Sequence, residues 1–431
     1  MSQSFLQGTW MRWGRRAGVL VSLVMLISAC DGGIRSDVPP SPGAERAAVV
    51  QPVVRKNVNN LTLEEKAEFV EAILRLKQAR PPESDEVGNW YDHFVASHMR
   101  KLVCWTDEPN QGGFGHNGPD ILTWHRAFLL EFERAMSTVM GKPMAIPYWD
   151  WTDPASIATV FADDFMGGMG DPNAGYYVMS GPFKKGDWRI NVKGFESTNP
   201  GQFDWLVRAV GNMPGMSTLP SREEVQQAML RTQYDVAPWG VVSDLDVSFR
   251  AFVDGSVNAT GTECDGGIVS ITGATTSLVH GTVHMWVGGA DDQGNPGSLT
   301  DTATSPNDPV FWLHHAYIDL LTETWWAANN YQYLPVSGGP RGSNRDDRMW
   351  PYLQTNGSMA VPVETLGYRY DALFEIELGT TFIPVAKWLA LRGAYNDLCS
   401  PSASERPGIE ANSSYSRTLS QLTQSKYRIP N

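Results

Sequence analysis

The chain has 431 residues, of which 42% are hydrophobic and 19% charged, with a formal net charge of -13. That length and balance describe a folded chain able to bury a large core. The acidic balance excludes a nucleic-acid partner, whose phosphates need a basic surface, and leaves no polybasic patch for anionic lipid.

Arg12, Arg15 and Arg16 precede an apolar run over residues 17–29. The run is too short to span a bilayer and suits the core of a signal peptide. It ends Ile27-Ser28-Ala29-Cys30, which resembles a bacterial lipobox and makes Cys30 the expected lipidated first residue of an exported chain. The only membrane attachment expected is that lipid, which places the domain in the periplasm or at the cell surface. A lipoprotein-type signal peptide is thus expected over 1–30. A flexible tether is expected over 31–58, rich in proline around Pro39-Pro40-Ser41-Pro42.

Order is expected from about Thr62. Thr62-Leu63-Glu64-Glu65 reads as a capping box opening a helix with Phe69, Ile73 and Leu76 on one face. Further helices are predicted over 91–103 and 121–140. Residues 152–245 are less regular, with one helix near 221–231. Helices over 276–287 and 308–328 follow, the second with Asp308 as N-cap and Pro309 in its first turn. Beyond residue 350 the pattern turns strand-like, as in Leu373-Phe374-Glu375-Ile376-Glu377-Leu378. The fold class is mainly α, with long irregular loops and a few short strands.

The eight histidines fall in three groups: His93, His98, His116 and His125; His280 and His284; His314 and His315. Histidine is the commonest metal-ligating side chain. His280 and His284, at i and i+4, share one helix face. The glutamate of a zinc-protease helix is absent between them, since Gly281-Thr282-Val283 intervene. His314 and His315 point about 100° apart on a helix, so only one can face a common site. His116 belongs to a loop between two helices. Two sites of three imidazoles each would suit copper well, and calcium or magnesium badly.

Longer motifs surround these histidines: Tyr91-Asp92-His93-Phe94-Val95-Ala96-Ser97-His98, Trp124-His125-Arg126-Ala127-Phe128, Pro147-Tyr148-Trp149-Asp150-Trp151, His280-Gly281-Thr282-Val283-His284 through Gly289, and Ser305-Pro306-Asn307-Asp308-Pro309 through Asp319. With them the chain resembles the tyrosinase family of type-3 copper proteins. The resemblance covers 59–370 as a copper domain and leaves 371–431 as an extension, partly strand, with a mobile tail. It implies a central four-helix bundle holding two copper ions, with dioxygen as co-substrate and a small phenol as substrate. By position, His98, His116 and His125 would bind the first ion, and His280, His284 and His315 the second. His314, Asp319 and Cys104 would support the ligands.

The implied activity is oxidation of o-diphenols to o-quinones, with monophenol hydroxylation in question. Alternatives are an o-aminophenol oxidase and an oxygen carrier, whose pocket a tail residue such as Phe382 could plug. In efficient monophenol hydroxylases an asparagine after the first histidine of the second copper helps an upstream glutamate hold a basic water. Here Gly281 follows His280, and Asp254 stands in the glutamate's place before an insertion over 256–274, so weak hydroxylation is expected. Some family members also link a cysteine to the middle histidine of the first copper by a thioether. Cys104 can make that bond to His116, join a disulfide, or remain free; Cys264–Cys399 is the expected disulfide.

Overall fold

The computed structural model describes residues 52–82, 88–102, 115–193, 204–213, 216–240, 243–257, 275–276, 279–385 and 387. Contacts divide the chain into residues 1–50 and 51–431, and every described residue lies in the second unit. The elements run β1 (Val53–Arg55), α1 (Leu63–Gln78), α2 (Trp90–Leu102), α3 (Ile121–Met140), α4 (Ala155–Val160), α5 (Arg222–Met229), α6 (Phe249–Asp254), β2 (Ser256–Val257), β3 (Thr275–Thr276), α7 (His280–Gly288), α8 (Val310–Ala328), α9 (Asn356–Met359) and β4 (Tyr368–Tyr370).

Local signals set the helix starts. The Thr62 side chain accepts from the Glu65 N–H while Glu65 reaches back to the Thr62 N–H, and Ser221 and Glu224 repeat the device at α5. At α8 the Asp308 carboxylate accepts the Val310 N–H at 3.0 Å. The predicted helix over 276–287 starts late. Residues 275–276 pair antiparallel with β2, as suits two adjacent β-branched threonines, and the helix begins at His280.

The bundle consists of α2, α3, α7 and α8. Phe132 of α3 and Trp312 of α8 stack at 3.5 Å and 11°, with Phe94 of α2 edge-on to both. All three rings are buried. The middle of α3 and the first turn of α8 are thus pinned together by large apolar surfaces, the dominant stabilising term in such a core.

Order begins earlier than the tether over 31–58 allows. Val53–Arg55 pairs in parallel with Tyr368–Tyr370, Arg55 opposite Tyr370. Arg55 is fully buried and donates to Glu133 on α3, Asp319 on α8 and the Tyr370 hydroxyl. A three-residue strand carries no periodicity, so composition alone hides it. Conversely, residues 373–378 form no strand. The Phe374 N–H donates to the Thr324 hydroxyl, and the Glu377 N–H to the Gln226 amide oxygen. Side chains of α8 and α5 therefore satisfy the backbone that a neighbouring strand would otherwise pair.

Candidate metal centre

Each bundle helix delivers histidine to one place. His98 comes from α2, His125 from α3, His280 and His284 from α7, and His315 from α8. His116 sits in the loop before α3. That loop is shaped by Gly115 at φ +64°, whose N–H donates to the Asp120 carboxylate at 2.9 Å. Lys101 closes the other side, its ammonium 3.1 Å from Asp120 with both side chains buried. A Cβ on residue 115 would meet the Lys101 stem at 2.9 Å, so glycine is required there.

The histidines gather into two groups, His98 with His116 and His125, and His280 with His284, His314 and His315. Within each group the potential ligand atoms lie within 4.8 Å of one another. The groups adjoin: His125 stacks on His315 at 4.3 Å and 13°, and Phe311 also packs against His315 at 4.0 Å. All seven rings are buried. A small cavity borders His125, His280 and His315 and runs along α8 past Asp319. His93 joins neither group.

Backbone carbonyls fix the rings. The Nδ1 of His98 bonds Ala303 O at 3.1 Å, that of His125 bonds Ile121 O at 2.9 Å, and that of His284 bonds Leu299 O at 3.0 Å. A carbonyl only accepts, so each Nδ1 carries the hydrogen and each Nε2 keeps its lone pair. The Nε2 atoms of His98 and His125 are buried without a hydrogen-bond partner. Burial, then the nearby imidazoles, hold His98, His125, His314 and His315 well below the ordinary histidine range. Burial and His280 do the same to His284. These rings are neutral at pH 7 and able to act as ligands.

The Nε2 atoms of His280, His284 and His315 form a triangle with sides of 3.1, 3.2 and 3.4 Å. Corners of such a triangle lie about 1.9 Å from its centre, close to the ~2.0–2.1 Å of a metal–imidazole bond. Two of the three nitrogens at most could be satisfied by hydrogen bonds among themselves. The donor set therefore fits a metal ion better than a hydrogen-bonded cluster.

His314 lies in the same group but is set the other way. The Trp151 indole N–H, a donor only, points at His314 Nδ1 at 3.2 Å. A neutral His314 then carries its hydrogen on Nε2, the opposite tautomer from His284. Its ring stacks parallel to His280 at 5.3 Å and 9°. The Trp151 contact and this stacking set His314 apart from His315 within the group.

Asp254 is the last residue of the buried helix α6. One carboxylate oxygen lies 3.5 Å from His280 Nδ1 and the other 3.6 Å from Arg250. It sits on the Nδ1 side of the ring, away from the nitrogen that faces His284 and His315. Gly281 follows on the first turn of α7, half-buried. Asp319 reaches no histidine through its hydrogen bonds. Its carboxylate accepts from Arg55, Arg126, Tyr368 and Tyr370, tying β1, α3, α8 and β4 together. Phe382 does not enter the site: it is 41% exposed and lies over the Arg231 guanidinium at 4.5 Å. Cys30, Cys104, Cys264 and Cys399 lie outside the described residues. The anchor carbonyls of Ala303, Ile121 and Leu299 escaped sequence reading because backbone groups leave no residue-type signal; so did the Lys101–Asp120 pair.

Residues 88–328 match the model of the common central domain of tyrosinase. The chain belongs to the tyrosinase family. It is 38% identical over 324 residues to a tyrosinase of Streptomyces antibioticus, covering 74% of this chain and 99% of that protein. A grixazone synthase of Streptomyces griseus subsp. griseus is 31% identical over 298 residues, covering 66% of this chain and 88% of the relative. In fold, it resembles a polyphenol oxidase variant from Thermothelomyces thermophila with a TM-score of 0.53 at 21% identity, over 74% of this chain and 89% of that one. The tyrosinase-family chain is an oxidoreductase of the tyrosinase and catechol oxidase type, and its histidine groups are those of a copper protein.

Proposed function

We propose that the chain is an exported oxidase that converts small o-diphenols to o-quinones with dioxygen. His98, His116 and His125 hold one copper, and His280, His284 and His315 the other. The observation that carries this reading is the pair of adjoining buried histidine groups, the potential ligand atoms of each gathered within 4.8 Å of one another. Bound copper would supply redox chemistry that couples reduction of one dioxygen to two waters with removal of two electrons and two protons from each of two diphenols.

The chain's own residues do the rest. Carbonyls at Ala303, Ile121 and Leu299 orient three rings before metal arrives, and Asp254 flanks His280. Phe311 and the core aromatics keep bulk water from the ligands. His280 keeps 6% exposure and also borders the small cavity, so the substrate ring approaches on its side. Gly281 places no side chain there that could hold a water. Asp254 is directed at the back of His280 and at Arg250, so it is poorly placed to take the proton of a monophenol. Diphenol oxidation, which needs no such base, is the favoured reaction.

Export rests on Arg12, Arg15, Arg16, the run over 17–29 and Cys30, with lipid at Cys30 as the membrane link. Among the described residues no helix is long and apolar enough to cross a membrane. The test is oxygen uptake by the copper-loaded protein given catechol, o-aminophenol and a simple monophenol in parallel. Uptake with catechol but not the monophenol is expected. Equal rates on both would refute the missing-base argument, and silence on all three at full copper occupancy would refute the oxidase.

A further inference from the structure

We propose that residues 299–304 form a yoke that orients one histidine of each triad, with Asp301 as its positioning residue. This rests on the two-copper reading above.

The yoke stands on five hydrogen bonds. At one end the Leu299 carbonyl accepts from His284 Nδ1, at the other the Ala303 carbonyl accepts from His98 Nδ1. His284 belongs to the second triad and His98 to the first. Between the two carbonyls, one Asp301 carboxylate oxygen accepts the Ala303 N–H at 3.0 Å and the Thr304 N–H at 3.3 Å. The Asp301 carbonyl also accepts the Thr304 N–H at 3.2 Å. Asp301 thereby fixes the turn that aims Ala303 O at His98.

The yoke is fastened to the helix it serves. The Thr300 hydroxyl donates to Gly289 O at 3.0 Å, and the Gly297 N–H to the same carbonyl at 3.0 Å. A Cβ on Gly288 would sit 2.3 Å from the Thr300 hydroxyl, so glycine at the end of α7 permits the approach. Ser298 adds a reciprocal pair with Val207, N–H to carbonyl at 2.8 Å and N–H to hydroxyl at 3.0 Å. The Nδ1 bond sets the plane of a ligating imidazole, and losing such a bond typically weakens metal binding about 10–100-fold. Because both carbonyls belong to one short, fastened segment, a disturbance at Asp301 reaches both sites.

The experiment is copper titration of the purified full chain against a competing chelator. Asp301→Ala, Asp301→Asn and Thr300→Val are compared with wild type. Each change is repeated with only the first triad intact (His280→Ala, His284→Ala) and with only the second intact (His98→Ala, His125→Ala). Asp301→Ala is expected to weaken copper about 10–100-fold in both single-triad backgrounds. Asp301→Asn, whose side-chain oxygen still accepts both N–H groups, is expected to restore binding. Weakening in one background alone, or no rescue by asparagine, overturns the yoke. If Asp301→Ala fails to fold, Thr300→Val reads the same coupling from the other fastening. A wild-type protein that binds fewer than two copper ions refutes the two-copper reading instead, whatever the variants do.

Discussion

Asp319→Asn tests how the ligand-bearing helices are held. The Asp319 carboxylate is 4% exposed and accepts from the Arg126 guanidinium at 2.6 Å, Arg55 at 2.9 Å, Tyr368 at 2.7 Å and Tyr370 at 2.6 Å. Asparagine keeps the shape and one acceptor oxygen but removes the charge. Arg55 retains Glu133 and Arg126 retains Glu323, so neither cation is abandoned. Breaking a buried ion pair costs about 3–5 kcal/mol. The partners left to both arginines put the expected loss at the lower end, about 3 kcal/mol. Burial alone would raise the Asp319 carboxyl, but Arg126 and Arg55 outweigh it and hold the group below its ordinary value. A carboxyl depressed in the folded state contributes stability above its unfolded value, about 3.9, and loses it as pH falls through the folded value. The gap between wild type and variant should therefore be the same at pH 7 and pH 5 and shrink below about pH 4. Urea unfolding at the three pH values measures it. A loss under about 1 kcal/mol at pH 7, or a gap that does not narrow in acid, would refute the reasoning.

Lys101→Met leaves the buried Asp120 carboxylate without its cation; a loss of about 3 kcal/mol is expected in urea unfolding, together with weaker copper binding at the His116 site. His315→Ala should drop copper stoichiometry from two to one, while His314→Gln should keep two; the reverse outcome would show that the tautomer assigned from Trp151 is wrong. Phe132→Ala empties the stack on Trp312 and should cost about 3–5 kcal/mol by chemical denaturation, with the copper sites refilling once the protein is folded. Chelating copper should lower the melting temperature and adding it back should restore it; at free copper a hundred times the dissociation constant the gain is about 2.7 kcal/mol per site.

What could be read from the sequence divides along a physical line. His280 and His284 were legible because an i, i+4 pair is a local geometric statement. Thr62 and Ser221 were legible because a capping box is written in four consecutive residues. The adjacent pair His314 and His315 could be narrowed to one ligand by helical angle, while the contact that sets His314 apart comes from Trp151, distant in sequence. Arg55 was lost in an apparent tether because its worth lies wholly in partners 78 to 315 residues away. Residues 373–378 alternate like a strand, yet Thr324 and Gln226 side chains took the place of a neighbour, which no periodicity can announce. Asp254 was found by position, and its direction, behind His280 rather than over the opening, needed coordinates.

The parallel pairing of β1 with β4 has a consequence for how the protein is made. Val53 meets Tyr368, and Arg55 and Tyr370 share one buried carboxylate across 315 residues of chain. During synthesis Arg55 emerges early, and its last partner appears only when nearly the whole domain is out. Contacts of such long range close late, after the loop entropy between them has been overcome. Until then the four histidine-bearing helices have their aromatic seam but not their clasp. Trimming the chain into 53–55 or ending it before 368 would strand the same carboxylate from opposite ends, so two distant truncations should fail alike.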